Sequence, residues 1–129
     1  MIFFDNVNLC LMSITNRKIL VVDDDEDIAY VVTTLLEMNG FVCDYITDPR
    51  QLDDKISGYH PNVVLLDIAL GNGFDGRGLS KRLKENDEGL KVILFSANND
   101  ISLNYKAFGA NGSIHKPFEV ESLLKIISD

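Results

Sequence analysis

Five short apolar runs, separated by stretches with helical periodicity, constrain the fold of this chain more than any other feature of its sequence. They are Ile19–Val22, Phe41–Ile46, Val63–Leu66, Val92–Phe95 and Ser113–His115. The first, third and fourth runs are almost continuous valine, isoleucine and leucine, as is typical of strands buried on both faces of a parallel sheet. The second run alternates more, which predicts an edge strand.

The stretches between the runs repeat apolar residues every three or four positions, as amphipathic helices do. The predicted helices are Asp27–Met38, a segment opened by Asp48-Pro49, Asp75–Glu88, Asn99–Phe108 and a segment after Pro117. We expect Tyr30 and Tyr105 to be partly buried packing residues on two of these helices.

Strands that alternate with helices form parallel sheets with right-handed crossovers and helices on both faces. We therefore expect an α/β fold, a doubly wound (βα)5 sheet in a single domain at residues 17–129. Residues 1–16 are predicted to be a flexible N-terminal extension, and Met12 is an alternative start. In such sheets the functional groups lie at the carboxyl ends of the strands.

Charge and cysteine content narrow the classes of function. Twenty acidic residues against twelve basic residues give a net charge of −8, which argues against nucleic acid or anionic membrane binding by this domain. Cys10 and Cys43 form neither a disulfide framework nor a zinc motif, so we expect a reducing, cytoplasmic location. No stretch approaches the ~20 apolar residues needed to span a bilayer.

Acidic residues follow two of the strands. Asp23 and Asp24 come directly after the first strand, and Asp67 directly after the third. A run of acids at a helix start is often no more than a favourable pairing with the helix dipole. Neighbouring carboxylates at a strand end, however, raise each other's pKa unless a cation is near, and Mg²⁺ or Mn²⁺ prefers such oxygen ligands. The third carboxylate would then be a nucleophile or a further ligand.

A hydroxyl and an ammonium group mark the ends of the fourth and fifth strands. Ser96 ends the fourth strand and Lys116 follows the fifth, before Pro117, so the Lys116-Pro117 bond is a candidate for the cis form. Either residue alone is more often an ordinary surface group. Carboxylates, a metal, a hydroxyl donor and an ammonium together suit phosphoryl transfer, in which positioning and charge neutralisation provide most of the catalysis.

These segments together resemble the receiver domain of two-component response regulators. The resemblance covers about Arg17 to Ser128 and rests on VVDDDEDI, VVLLDIAL, the Asp75-Gly76 pair, VILFSA and HKPF in that order. It implies a flavodoxin-like fold with strand order 2-1-3-4-5. It also implies that Asp24 and Asp67 bind Mg²⁺ directly, that Asp23 acts through water, and that the Ala69 carbonyl completes the protein ligands.

The resemblance further implies a signalling role. Asp67 becomes the phosphoacceptor, and Ser96 and Lys116 contact the phosphoryl oxygens. The implied donor is a sensor histidine kinase or a phosphotransfer protein, and the implied recipient of the signal is a downstream target protein. Such a domain is not an enzyme in the usual sense, since it catalyses only its own phosphorylation and dephosphorylation.

Three positions depart from the pattern of that family. Gly71 stands where proline is usual and the loop is one residue longer, so we expect a more flexible loop. Ser96 replaces the commoner threonine. Ser113 replaces an aromatic residue on the fifth strand, so we expect phosphorylation to be coupled more weakly to the distal face of the domain. We also expect the face formed by the fourth helix, the fifth strand and the last helix to be flat and open to a partner helix or to a second copy in a homodimer.

Three other interpretations remain open at this point. A phosphatase resembling the haloacid dehalogenases would use Asp23 and Asp25, although this chain is short for that family. A calcium loop would use Asp23, Asp25 and Asp27, but Ile28 stands where glycine is needed and Thr34 where glutamate is needed. A pseudo-receiver would signal without phosphate.

Overall fold

Five parallel strands form one sheet in the computed structural model, which describes residues 17–97 and 104–129. The strands are β1 (Lys18–Val22), β2 (Val42–Ile46), β3 (Val63–Asp67), β4 (Lys91–Ser96) and β5 (Gly112–His115). The α-helices of the described residues are α1 (Glu26–Met38), α2 (Leu52–Tyr59), α3 (Gly76–Asn86) and α4 (Val120–Ser128). The predicted extension at residues 1–16 lies outside the described residues.

The strand order is β2-β1-β3-β4-β5, as predicted, and every neighbouring pair is parallel. The chain leaves β1 towards the β2 edge and returns to β3 on the other side of β1. The order therefore reverses between β1 and β3, and the crevice beyond the carboxyl ends of these two strands is the topological switch point. Asp23 follows β1 and Asp67 ends β3 at this crevice.

Alternation along the strands divides the core into two layers. On one face, residues such as Leu20, Leu66 and Leu94 pack with apolar side chains of α2 and α3. On the other face, odd-numbered residues of β1, β3 and β4 pack with α1 and α4, including Leu36 and Ile127. The parallel sheet is thus covered on both sides, which explains its near-continuous aliphatic strands.

Capping residues begin the helices close to the predicted positions. The carboxylate of Asp48 accepts the backbone N–H of Arg50 and begins a short 3-10 helix, Pro49–Gln51, that leads into α2. Asp75 caps α3 in the same way through the N–H of Arg77. Aspartate is favoured at these positions because its side chain satisfies helix N–H groups that have no partner within the helix.

One helical expectation is confirmed in part and another was wrong. Within the predicted helix Asn99–Phe108, Asn104 is α-helical and Tyr105–Phe108 forms a 3-10 helix that ends at Gly109; residues 99–103 lie outside the described part. Tyr30 is 61% exposed, because it lies outside the face of α1 that carries the buried residues Ala29 and Leu36. Tyr105, in contrast, packs against the core, as predicted.

Gly76 brings the start of α3 against the end of β3. A Cβ atom at this position would lie 2.1 Å from the backbone oxygen of Asp67, a distance that real Cβ atoms do not adopt. The Gly76 N–H also donates to the backbone oxygen of Ile68 at 2.9 Å. Only glycine permits this approach, so the residue fixes the backbone that carries Asp67.

We predict that Gly76→Ala lowers the free energy of unfolding by more than about 3 kcal/mol, because Asp67 or α3 must move. Gly78→Ala is the matched control, since Gly78 lies in the same helix and a Cβ atom added there would meet nothing within 4 Å. The control should raise the free energy of unfolding by about 0.5–1 kcal/mol through helix propensity. Urea denaturation measures both, and equal effects would contradict the close-contact explanation.

Candidate functional site

The acidic run after β1 divides into three structural roles. Asp23 is fully buried, and its carboxylate accepts the N–H of Asp25 at 2.9 Å. Asp24 is exposed and lies beside the buried carboxylates. Asp25 caps α1, accepting the N–H groups of Asp27 and Ile28. The helix-dipole interpretation thus holds for the later acids of the run but not for Asp23.

Asp23 and Asp67 share one ammonium group. Lys116 Nζ lies 2.8 Å from an oxygen of Asp23 and 3.2 Å from an oxygen of Asp67. All three side chains are largely buried, with 0%, 7% and 18% exposure for Asp23, Asp67 and Lys116. A buried ammonium between two carboxylates satisfies charges that would otherwise be costly away from water.

Burial governs the protonation of Asp67. Burial first, and the charge of Asp23 second, raise the pKa of this carboxyl group to about 6, while Lys116 and the Ala69 N–H act in the opposite direction. For Lys116, burial alone lowers the pKa, but the hydrogen bond to Asp23 and the charges of both carboxylates raise it above its ordinary value. Lys116 therefore stays charged, and Asp67 is the group whose ionised form is disfavoured by its surroundings.

The remaining predicted residues flank this cluster. Ser96 is buried at the end of β4, and its backbone oxygen accepts the Lys116 N–H at 3.0 Å. Ala69 lies two residues beyond Asp67 and donates its N–H to an Asp67 oxygen at 3.2 Å. The Lys116-Pro117 bond is cis, as expected. The structure thus gathers all the predicted site residues at one edge of the sheet.

The loop after β3 passes beside the site at Asp24. Ala69 and Asp75 form an antiparallel bridge at its base, and Leu70 is almost fully buried. Gly71 has φ +70°, and a Cβ atom there would lie 3.6 Å from an oxygen of Asp24. The longer loop is therefore anchored at its base and approaches a carboxylate of the cluster. Its predicted flexibility stays a prediction.

Sequence reasoning missed Phe95. Its ring centroid lies 4.5 Å from Lys116 Nζ, and the residue is 1% exposed. The only signal in the sequence is an aromatic residue at the end of an otherwise aliphatic strand, which predicts burial but not contact with a lysine.

The donor set can hold a metal ion. Asp23, Asp24 and Asp67 each offer a carboxylate oxygen, and these atoms lie within 4.8 Å of one another. Hard divalent cations such as Mg²⁺ prefer carboxylate oxygens. The chemistry of the site therefore fits a hard cation, and Lys116 supplies a further positive charge in contact with Asp23 and Asp67.

Two alternative interpretations of the acidic run are disfavoured by the geometry of α1. The calcium loop is wrong, because α1 begins at Glu26, so the chain is already helical from the fourth position of the twelve-residue loop that calcium would need. The phosphatase interpretation needs Asp25 as an acid–base group, but Asp25 Oδ1 caps α1 by accepting the N–H groups of Asp27 and Ile28.

Comparisons with known proteins agree on one family. The family model described as "Response regulator receiver domain" matches residues 19–128. The C4-dicarboxylate transport transcriptional regulatory protein DctD of Pseudomonas aeruginosa is 34% identical over 83% of this chain, which spans 23% of that protein. Sporulation initiation phosphotransferase F of Bacillus subtilis is 30% identical, over 84% of this chain and 88% of the relative.

Solved structures give the same result. The receiver domain of NtrX from Brucella abortus is 30% identical with a TM-score of 0.78, over 84% of this chain and 93% of that one. A CheY-like receiver domain protein from Methanospirillum hungatei is 28% identical with a TM-score of 0.77, over 88% and 91% of the two chains. None of the helices in the described residues is long and apolar enough to cross a membrane.

We predict that Asp67→Asn stabilises the metal-free protein at neutral pH. The folded-state pKa of Asp67 is raised from 3.8 to about 6, so the folded protein favours the protonated carboxyl group. The stability that this group contributes is fully present below about pH 3.8 and is lost as the pH rises through about 6. At pH 7.5 in a chelator, the variant should be more stable by on the order of 2 kcal/mol.

The test is urea denaturation between pH 4 and pH 7.5. The gain from Asp67→Asn should shrink towards pH 4, whereas Asp27→Asn, which changes an exposed acid in the first turn of α1, should give no gain in stability at any pH in this range. A gain that is independent of pH would contradict the electrostatic explanation.

Proposed function

The chain belongs to the family of response regulator receiver domains, and from that premise we propose that Asp67 accepts a phosphoryl group in a Mg²⁺-dependent reaction. The observation that carries this proposal is the buried Lys116 ammonium bridging Asp23 and Asp67, with Asp24 beside them at the switch point. A carboxylate nucleophile, an acidic pair that can hold a metal and a buried cation suit phosphoryl transfer onto an aspartate.

In the proposed reaction, a carboxylate oxygen of Asp67 attacks phosphorus. The phosphorus–nitrogen bond of a phosphohistidine, or the phosphorus–oxygen bond of a small acyl phosphate, breaks as the new phosphorus–oxygen bond forms. The product is an acyl phosphate on Asp67. The domain thereby catalyses its own phosphorylation and, with water as acceptor, its own dephosphorylation.

Other residues of the chain hold the charges of this reaction. A bound Mg²⁺ would neutralise phosphoryl oxygen charge, and Asp24 and Asp67 are its proposed direct ligands, with Asp23 acting through water and the Ala69 carbonyl completing the set. Lys116 supplies a positive charge that does not need to be recruited, since it already contacts Asp67. The Ser96 hydroxyl is the proposed donor to a phosphoryl oxygen.

The proposed phosphoryl donor is a sensor histidine kinase or a phosphotransfer protein. Support comes from the Bacillus subtilis relative, which is named a phosphotransferase and matches most of this chain. A downstream protein is the proposed recipient of the signal. The proposed location is the cytoplasm, where thiols stay reduced, and Cys43 is a free thiol; a secretion assay on the expressed chain would test it.

We propose that phosphorylation is communicated to partners through the face formed by the 3-10 helix Tyr105–Phe108, β5 and α4. Ser113 is half-buried there and lines an open hollow with Tyr105 and Ile126. The small side chain leaves room on this face for a downstream protein or for a second copy in a homodimer. Sedimentation velocity with and without beryllofluoride, a phosphoryl mimic, tests the homodimer, and an unchanged monomer would contradict it.

We predict that acetyl phosphate with Mg²⁺ phosphorylates the natural chain but not Asp67→Asn. The product should be lost in mild base, as expected of an acyl phosphate. Intact-mass spectrometry measures both. Phosphate on Ser96 would reverse the proposed roles, and no phosphate at all would favour a pseudo-receiver.

A pair of variants within the acidic run tests the metal part of this reaction. Asp24→Asn removes a carboxylate of the cluster, whereas Asp27→Asn removes an exposed acid outside it. The first should reduce Mg²⁺-dependent phosphorylation at least tenfold, the effect of losing about 1.4 kcal/mol of interaction. The second should leave it unchanged, and equal rates in the two variants would exclude Asp24 as a ligand.

A further inference from the structure

Phe95 is a buried residue beside the cluster of Asp23, Asp67 and Lys116. Its backbone is in register with Asp67 on one side and with Ile114, two residues before Lys116, on the other. Along β4 it lies on the same sheet face as Ile93, in the apolar layer that also contains Val21 of β1 and Leu65 of β3. Two residues beyond Val21 and Leu65 come Asp23 and Asp67, so strand alternation directs both carboxylates to this face.

The ring is close enough to attract the lysine. Lys116 Nζ lies 4.5 Å from the Phe95 centroid, inside the range of cation–π contacts. Such contacts are strongest when the cation is shielded from water, and the Lys116 side chain is only 18% exposed. An aliphatic residue at position 95 would fill the same space but would offer no negative face to the ammonium.

We propose that Phe95 is a positioning residue, whose ring holds the Lys116 ammonium at the carboxylates through a buried cation–π contact. Unlike the two carboxylates that contact Lys116, the ring carries no charge and is not altered when Asp67 changes its chemical state. It therefore holds the cation near the cluster before and after that change. Its effect on phosphorylation rests on the function proposed above for Lys116.

Fluorinated phenylalanines at position 95 test this contact in the metal-free, unphosphorylated protein. Successive fluorine atoms withdraw electron density from the ring face with little change in volume. From phenylalanine to the 3,4,5-trifluoro form, the unfolding equilibrium constant should rise stepwise, by about tenfold in total. In the Lys116→Met background, the same fluorine substitutions should leave the unfolding equilibrium constant unchanged.

A second position guards against failure of Lys116→Met to fold. Phe41 is a buried phenylalanine of the same apolar layer, and no cation–π contact involves it in the described part of the chain. The series at Phe41 should have no such slope. Equal slopes at positions 41 and 95, or a slope at 95 that persists without Lys116, would overturn the proposal.

The phosphorylation rate provides the functional readout. The trifluoro form at position 95 should slow phosphorylation by acetyl phosphate about threefold or more relative to unmodified Phe95. A Lys116-dependent stability slope with an unchanged rate would overturn the positioning role. Absence of phosphorylation in every form, including the natural chain, would instead overturn the proposed function. The dependence of stability on fluorination at position 95 would then still decide whether the contact between Phe95 and Lys116 exists.

Discussion

The interaction on which the rest of the site depends is the buried contact of one ammonium group with two carboxylates. Asp23 follows β1 and Asp67 ends the neighbouring β3, and the fully buried Asp23 would be prohibitively costly as a lone ion. Lys116 reaches both from beyond β5. The contact joins the ends of β1, β3 and β5. The three charges therefore meet only when the strands are in the correct order.

The fold meets that requirement mainly through the backbone register of the strands that lead to the site. β1, β3 and β4 are paired so that Asp67 lies opposite Phe95, and alternation turns Asp23, Asp67 and Phe95 to the same face. Gly76 then allows α3 to begin directly against the Asp67 carbonyl. A site built on strand ends in this way is held by the whole core, which favours the precise geometry that phosphoryl transfer needs.

The sequence predicted what local pattern controls and missed what tertiary contact controls. Strand existence, the opening of a helix at Asp48, the start of a helix near Asp75, and the gathering of acids at one edge follow from periodicity and from parallel topology. The division of the acidic run into a buried, an exposed and a capping aspartate depends on where β1 ends to within one residue. The contact of Phe95 with Lys116 joins separate strands, and no spacing along the chain encodes it.

Charge balance links metal binding to phosphorylation. Asp23, Asp24 and Asp67 carry three negative charges against the single positive charge of Lys116, so two remain uncompensated in the cluster. One divalent cation matches that deficit. If Asp67 accepts a phosphoryl group as proposed, its single charge is replaced by about −1.5 to −2, and the demand for a cation grows. By thermodynamic reciprocity, a cation that binds the phosphorylated site more tightly must favour phosphorylation by the same factor.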